Sequence, residues 1–105
     1  MKNTYQELTL TNGEVVKLTL NFARLLKLKN DRKDLYERLM KILQSKDFDI
    51  IFDSMTVLYV GYLCANIEHL QDEQILSEEE FMELVEFDLG EINIVAGNLI
   101  QSKKK

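Results

Sequence analysis

The feature that most constrains the fold is the stretch from Ile50 to Leu70, which is apolar on nearly every side when read as a helix. Such a helix is stable only where other elements cover it all round, at the centre of a bundle or inside an oligomer. Its longest uncharged run, Ser54 to Ile67, is too short for a bilayer, which requires about 20 predominantly apolar residues. We therefore expect a soluble, cytoplasmic protein built around this helix.

Three residues of this stretch carry further predictions. Gly61 lies in the helix interior, where glycine costs about 1 kcal/mol relative to alanine, so we expect another backbone to pass close to it. Cys64 has no basic neighbour in sequence and is interpreted as a buried hydrophobe rather than a reactive thiol. His69 is interpreted as a C-terminal cap of the helix rather than a catalyst or metal ligand.

Residues 5–20 predict a β-hairpin, because two alternating runs flank Asn12-Gly13. A two-residue loop would mix the two faces of the hairpin. A three-residue loop, Thr11–Gly13, pairs Leu8 with Val16 and leaves Gly13 in the left-handed position of a bulge. The apolar face then comprises Leu8, Leu10, Val16, Leu18 and Leu20. The face suited to water comprises Glu7, Thr9, Lys17 and Thr19.

Helices follow the hairpin. Asn21 is the expected N-cap of a helix to about Lys29, and its apolar side is predicted to consist of Phe22, Leu25 and Leu26. A second helix restarts at Asn30-Asp31 and reaches about Gln44, with a stripe formed by Leu35, Leu39 and Ile42. Asp34 and Arg38 are four residues apart in this helix, and this spacing predicts an ion pair between them. A turn is expected over Ser45–Asp49.

The C-terminal part contains the clearest helix start. Ser77 and Glu80 form a capping box, and the same pattern recurs with Asp88 and Glu91. Two interpretations of the C-terminal part remain open: a second helix begins at Asp88, or one helix bends at Gly90. The residues beyond form a regular helical stripe. Core packing is its default explanation, and contact with a partner helix is the alternative. The stripe consists of Ile92, Val95, Ala96, Leu99 and Ile100.

Together these signals predict an α+β fold, mostly α, in which the N-terminal hairpin packs on a bundle of four to five helices. The chain is expected to be a single domain over 1–105. We expect the hairpin at 5–20, the helical part at 21–102 and a basic tail at 103–105. The polar N-terminus has no apolar segment typical of a signal peptide.

Composition argues against most enzymes and cofactors. The chain has one cysteine, one histidine and four scattered glycines, so neither a cysteine-rich zinc site nor a glycine-rich phosphate loop can be built. We expect no catalytic residue, no metal and no cofactor. A binding or assembly protein is favoured instead.

Charge is unevenly distributed along the chain. Residues 1–52 hold 10 Lys/Arg against 7 Asp/Glu, whereas residues 53–105 hold 3 Lys against 11 Asp/Glu. From Glu68 to Glu91 there are ten acidic residues and no basic one. Such a segment repels nucleic acid and suits a basic partner, although a solvated helix surface gives the same pattern.

One arrangement resembles a known family. The N-terminal order of strand, Asn-Gly turn, strand and Leu-Leu helix reads LTLTNGEVVKLTLNFARLLKLKND, and the later segments read DIIFDSMTVLYVGYLCAN and SEEEFMELVE. This layout is similar to the tail assembly chaperones of long-tailed bacteriophages and prophages of Gram-positive hosts. The resemblance implies a non-enzymatic protein of the bacterial cytoplasm that binds the tape measure protein and helps to recruit tail tube subunits. Many such chaperones also have a frameshifted long form. Lysine codons 103–105 could supply its slip site, or Lys103–Lys105 are an ordinary basic tail beside a helix C-terminus; this choice and self-association stay open.

The expected partner surface is the stripe Ile92, Val95, Leu99 and Ile100. A terminal helix can undock most easily, and Tyr59 and Tyr62 would then line the vacated groove. The alternative function is that of an acidic inhibitor or DNA mimic, which would occupy a basic groove of a host protein with the carboxylates of Glu68–Glu91.

Overall fold

A two-stranded antiparallel hairpin and five α-helices form the part of the chain that the computed structural model describes, namely residues 5–45, 52–70, 72–86 and 88–104. The strands are β1 (Gln6–Thr9) and β2 (Val15–Leu18). The helices are α1 (Phe22–Asp31), α2 (Lys33–Gln44), α3 (Phe52–Ala65), α4 (Glu78–Leu84) and α5 (Leu89–Lys104), and a 3-10 turn (Ile67–His69) follows α3. The predicted fold class is confirmed.

The hairpin has the predicted three-residue loop. Leu8 pairs with Val16 and Gln6 with Leu18, and Gly13 has a φ of 89°, where glycine meets no steric penalty. The predicted apolar face is confirmed, with Val16 half-buried and the other four side chains buried. On the opposite face, Thr19 does not point into water as predicted.

Thr19 is only 1% exposed because the chain just beyond β2 passes against α3. Its amide donates to the Gly61 carbonyl at 3.1 Å, and its hydroxyl accepts a hydrogen bond from the Asn21 amide at 3.2 Å. Simple alternation failed here because it describes strand faces and not what lies beyond the strand end.

Asn21 caps α1 as predicted, since its side chain accepts from the Arg24 amide at 3.3 Å. The predicted apolar side was partly wrong. Leu25 is buried, but Phe22 and Leu26 are 60% and 43% exposed, and Leu28 takes their place in the core. The buried positions are three residues apart, so α1 presents a narrower stripe to the core than the prediction assumed.

The second helix restarts slightly later than predicted. α1 runs through Asp31, and the break falls at Arg32, whose φ of −139° and ψ of 69° lie outside the helical region. α2 then ends at Gln44, as expected. Leu35 and Leu39 are fully buried against the core. The predicted turn lies outside the described residues, apart from Ser45.

α3 is the centre of the molecule. Every residue from Thr56 to Cys64 is buried, and β2, α1, α2, α4 and α5 all pack against this helix. This confirms the prediction made from its uniform apolar character. None of the helices within the described ranges combines the length and apolarity needed to cross a bilayer.

The C-terminal third forms two helices rather than one bent helix. Ser77 accepts from the Glu80 amide, and the Glu80 carboxylate accepts from the Ser77 amide, which completes the capping box. An Asp88 carboxylate oxygen accepts from the Glu91 amide at 3.2 Å and begins α5. α5 continues to Lys104, so the first two residues of the predicted basic tail extend the helix.

Gly61 is the point where three elements meet. A Cβ on Gly61 would lie 3.2 Å from both Leu18 Cβ and Leu99 Cδ1, so the predicted close approach is confirmed.

Gly61→Leu is expected to destabilise the protein by about 1–3 kcal/mol through overpacking. Gly97 of α5 has no atom near its Cβ position, and Gly97→Ala is expected to stabilise by up to about 1 kcal/mol. Urea unfolding of both variants measures the contrast, and equal effects would contradict it.

Candidate functional site

The stripe predicted to bind a partner lies in the core of the free protein. Ile92, Val95 and Leu99 are buried and Ile100 is half-buried, on a helix that packs along α3. Leu99 reaches the space above Gly61. A partner could therefore use these side chains only if α5 left α3, so partner binding by the stripe stays a prediction.

Tyr59 and Tyr62 lie beneath α4. Both rings contact Phe81, with centroid distances of 5.5 and 5.1 Å. The Tyr59 hydroxyl donates to the Leu76 carbonyl at 2.9 Å, and the Tyr62 hydroxyl accepts from the Leu76 amide at 3.1 Å. The structure thus joins the tyrosines to the start of α4, and displacement of α4 would uncover both rings.

Arg38 connects three helices. Its guanidinium donates to both carboxylate oxygens of Glu78 on α4, at 3.0 and 2.8 Å, and to the Thr56 hydroxyl on α3 at 3.1 Å. The predicted pairing with Asp34 was wrong, because Asp34 pairs with Arg32 instead. A bidentate pair fixes geometry more strongly than a single contact along one helix. Sequence spacing could not find it, since the partners are distant in the chain.

This pair predicts a pH dependence. Hydrogen bonds from Arg38 hold the pKa of the Glu78 carboxyl below its usual value. A lowered pKa in the folded state contributes stability above the unfolded pKa and is lost as the pH falls through the folded pKa. Arg38→Gln should lower the melting temperature at neutral pH, with a difference that narrows below about pH 4.

The matched control for Arg38 is Lys33→Gln. Lys33 meets Glu37 on the exposed surface of α2 at 3.8 Å, and an exposed pair contributes about 0–1 kcal/mol. Its melting curve should follow the wild type at every pH. The role assigned to Glu78 would be contradicted if the difference in melting temperature between Arg38→Gln and the wild type stayed constant from neutral to acidic pH.

The end of α3 is capped by side chains that the sequence did not indicate. Arg24 donates to the Cys64 carbonyl at 3.0 Å and pairs with Glu68 at 3.2 Å, while the Asn66 side chain donates to the Tyr62 carbonyl at 2.9 Å. The cap predicted for His69 was therefore misplaced, because α3 ends at Ala65 and its last carbonyls are already bonded.

The acidic segment forms an exposed surface. Within the described part, ion pairs involve only two of its members, Glu68 and Glu78. On α4, Glu80 belongs to the capping box, and Glu79 and Glu83 are exposed. The last two are four residues apart and therefore share one side of the helix. This surface can attract a basic partner and repel nucleic acid.

A groove lies between the hairpin and the segment that follows α3. Its volume is about 520 Å³. Its lining combines apolar side chains with exposed polar ones, and sequence analysis gave no sign of it because its two walls are distant in the chain. The lining includes Glu14, Val15, Val16, Lys17, Tyr62, Asp72 and Ile75.

Metal-ligating and nucleophilic side chains were predicted to have no catalytic role, and the described residues show where they lie. No three histidine, cysteine or acidic side chains converge there to hold a metal ion. Cys64 is buried, as expected, and burial raises the pKa of its thiol to about 12. The thiol is therefore uncharged at neutral pH, whereas nucleophilic chemistry requires the thiolate.

Cys64 is expected to be inert in the folded state. At mild alkaline pH an aromatic disulfide reagent should react about a thousandfold more slowly than with free cysteine, because so little thiolate is present. Concentrated urea should release the full reactivity of one thiol per chain. Immediate reaction without denaturant would contradict the burial of Cys64.

Comparisons with known proteins identify no relative: no family model, no curated protein and no solved structure matches the chain.

Proposed function

We propose that the protein is a non-enzymatic phage tail assembly chaperone, which binds the tape measure protein in the bacterial cytoplasm and helps to recruit tail tube subunits. The observation that carries this proposal is the packing of α5 on α3. A helix that is apolar all round is covered on one side by a single amphipathic helix. Another helix with the same stripe could take its place. The sequence resemblance supports the same function.

Exchange of one helix for another explains how the stripe could serve both folding and binding. When α5 moves away, it exposes its own stripe and the α3 surface around Gly61, where the absence of a side chain permits close approach. A tape measure helix could cover either surface through contacts at i, i+3 and i+4. Full burial of one such side chain contributes about 1.5–3 kcal/mol. Much of this gain offsets the loss of intramolecular packing, so net affinity stays modest and release is possible.

The acidic exterior fits the same role. A chaperone must keep a partner with exposed apolar stripes in solution, and unpaired surface carboxylates favour solubility. Glu79, Glu83 and Glu86 are exposed in and after α4, away from the stripe of α5. The complex would therefore present charge to water while the apolar surfaces cover each other.

Hydrogen exchange tests this proposal. The probe is a synthetic amphipathic helix from a phage tape measure protein, and the control is a peptide of the same composition with its stripe scrambled. We expect the native peptide alone to accelerate amide exchange in α5 while α3 stays protected. Equal binding of both peptides, or binding without faster amide exchange in α5, would contradict the replacement of α5 by the partner helix.

The alternative function, an acidic inhibitor of a basic host protein, rests on a different observation. Glu79 and Glu83 share one exposed side of α4 without an ion pair among the described residues. Glu79→Gln combined with Glu83→Gln would abolish binding to a basic DNA-binding protein of the host and leave binding of the helical peptide intact. Loss of binding to the basic protein with unchanged peptide binding would favour the inhibitor, whereas unchanged binding of the basic protein would exclude this surface as its site.

A further inference from the structure

The outer edge of β2 carries backbone groups that the fold leaves available. The Leu10 amide donates to the Glu14 carbonyl at 2.7 Å, which makes these residues a hydrogen-bonded pair. Such pairs alternate along an antiparallel ladder, so Val15 and Lys17 direct their amides and carbonyls away from β1. Thr19 follows on the same edge, and its amide donates to the Gly61 carbonyl. Within the described part of the chain, the amides of Val15 and Lys17 have no acceptor.

The groove of about 520 Å³ runs along this edge. β2 forms one side, and the other side is formed by Ala65, Asn66, His69, Asp72, Gln74 and Ile75. Val16, Tyr62 and Ile75 give the groove an apolar lining, and Val15 is 56% exposed. An added strand lies about 4.8 Å from its neighbour, in the space between these two sides. Unpaired strand edges bind other chains readily.

The charges around the groove indicate the chemistry of its occupant. Glu14 and Asp72 are exposed. The Glu14 carboxylate accepts from the neutral Asn12 side chain and the Asp72 carboxylate from the Gln74 amide, and neither carboxylate has an ion pair among the described residues. The ammonium of Lys17 lies 5.9 Å from the centre of the Tyr5 ring, on the outer face of the hairpin. The groove therefore favours a positively charged ligand.

We propose that the edge of β2 binds an extended segment of another protein as a third strand. Backbone pairing with Val15 and Lys17 would provide affinity, as in other cases of strand addition. A basic side chain beside Glu14 and Asp72 would provide selectivity. A second copy of this chain fits less well, because the residues opposite its own β2, such as His69 and Asp72, would enter the same space. This inference is independent of the proposed function, since it does not use the stripe of α5.

The probe for this site is a capped peptide that alternates lysine and valine, added to isotope-labelled protein. We expect amide exchange of Val15 and Lys17 to slow at least tenfold at saturation. The matched control peptide has the same sequence but carries methyl groups on its backbone amides, which removes its donors. It should neither bind nor protect these amides.

Two proline variants separate the two edges of the hairpin. Val15→Pro removes a donor on the groove side, and Thr9→Pro removes the matching donor on the opposite edge, since Thr9 pairs with Val15 across the ladder. Proline is tolerated at strand edges where the amide is unpaired. Val15→Pro should weaken peptide binding at least tenfold, whereas Thr9→Pro should not change it.

Charge removal tests the selectivity separately. Asp72→Asn should weaken binding of the lysine peptide several-fold and leave a peptide with serine in place of lysine unaffected. Equal binding of the methylated peptide, or equal loss with Thr9→Pro, would overturn the proposal. Slow amide exchange of Val15 in the absence of peptide, together with the mass of a dimer in solution, would also overturn the proposal. A second copy of the chain would then occupy the edge of β2.

Discussion

Leu18→Asp is expected to unfold most of the protein at room temperature. Leu18 is 0% exposed and lies against Gly61 of α3. The substitution removes a buried leucine, which costs about 2–5 kcal/mol, and adds a buried charge without a partner. Since a domain of this size has a total stability of about 5–15 kcal/mol, little folded protein should remain. Circular dichroism against temperature and urea measures the loss.

The matched control is Lys17→Gln, one residue earlier on the same strand. Lys17 is exposed and interacts only weakly with the Tyr5 ring, a contact worth about 0.5–1 kcal/mol at an exposed site. The variant should melt within a few degrees of the wild type. If Leu18→Asp and Lys17→Gln melted alike, the hairpin could not be packed on α3 as described.

Leu99→Asp is expected to lower the melting temperature by about 12–40 °C, from a loss of about 3–5 kcal/mol at about 4–8 °C per kcal/mol. Leu99 is 1% exposed and fills the space above Gly61. Ile94→Asp on the same helix is the control, because Ile94 is 65% exposed and surface substitutions usually change stability by less than about 0.5 kcal/mol.

The comparison of these two variants also bears on the proposed function. If Leu99→Asp melted like Ile94→Asp, α5 would contribute little to the free protein, and the stripe would be free for a partner. With the expected large loss, any partner must compete with α3 for the stripe. Thermal denaturation of both variants should therefore precede any binding measurement, so that unfolding is not mistaken for a lost contact.

Local chemistry was the part of the fold that the sequence predicted best. The loop around Gly13, the caps at Asn21 and Ser77 and the burial of α3 each depend on residues close together in the chain. Alternation and helical periodicity are properties of one element, so they need no knowledge of its neighbours. The same reasoning gave a helix start at Asp88 as one of two alternatives, and the structure has this one.

Predictions that depended on the neighbours of an element were less accurate. Phe22 was assigned to the core although Leu28 occupies that position, because the sequence does not show which side of α1 meets α2 and α3. Arg38 was paired within its own helix, yet it reaches Glu78 on α4. The groove beside β2 could not be foreseen at all, since it exists only where distant segments meet.

The meeting of Leu18, Gly61 and Leu99 has a consequence for the order of folding. The first and last of these residues are separated by most of the chain, yet both close on one glycine. The chain must therefore bring together segments from its beginning, middle and end before the free energy of this contact can offset the loss of chain entropy. An isolated hairpin is only marginally stable. The hairpin and α5 should consequently gain protection from hydrogen exchange together, in one late kinetic step, rather than one after the other as the chain is synthesised.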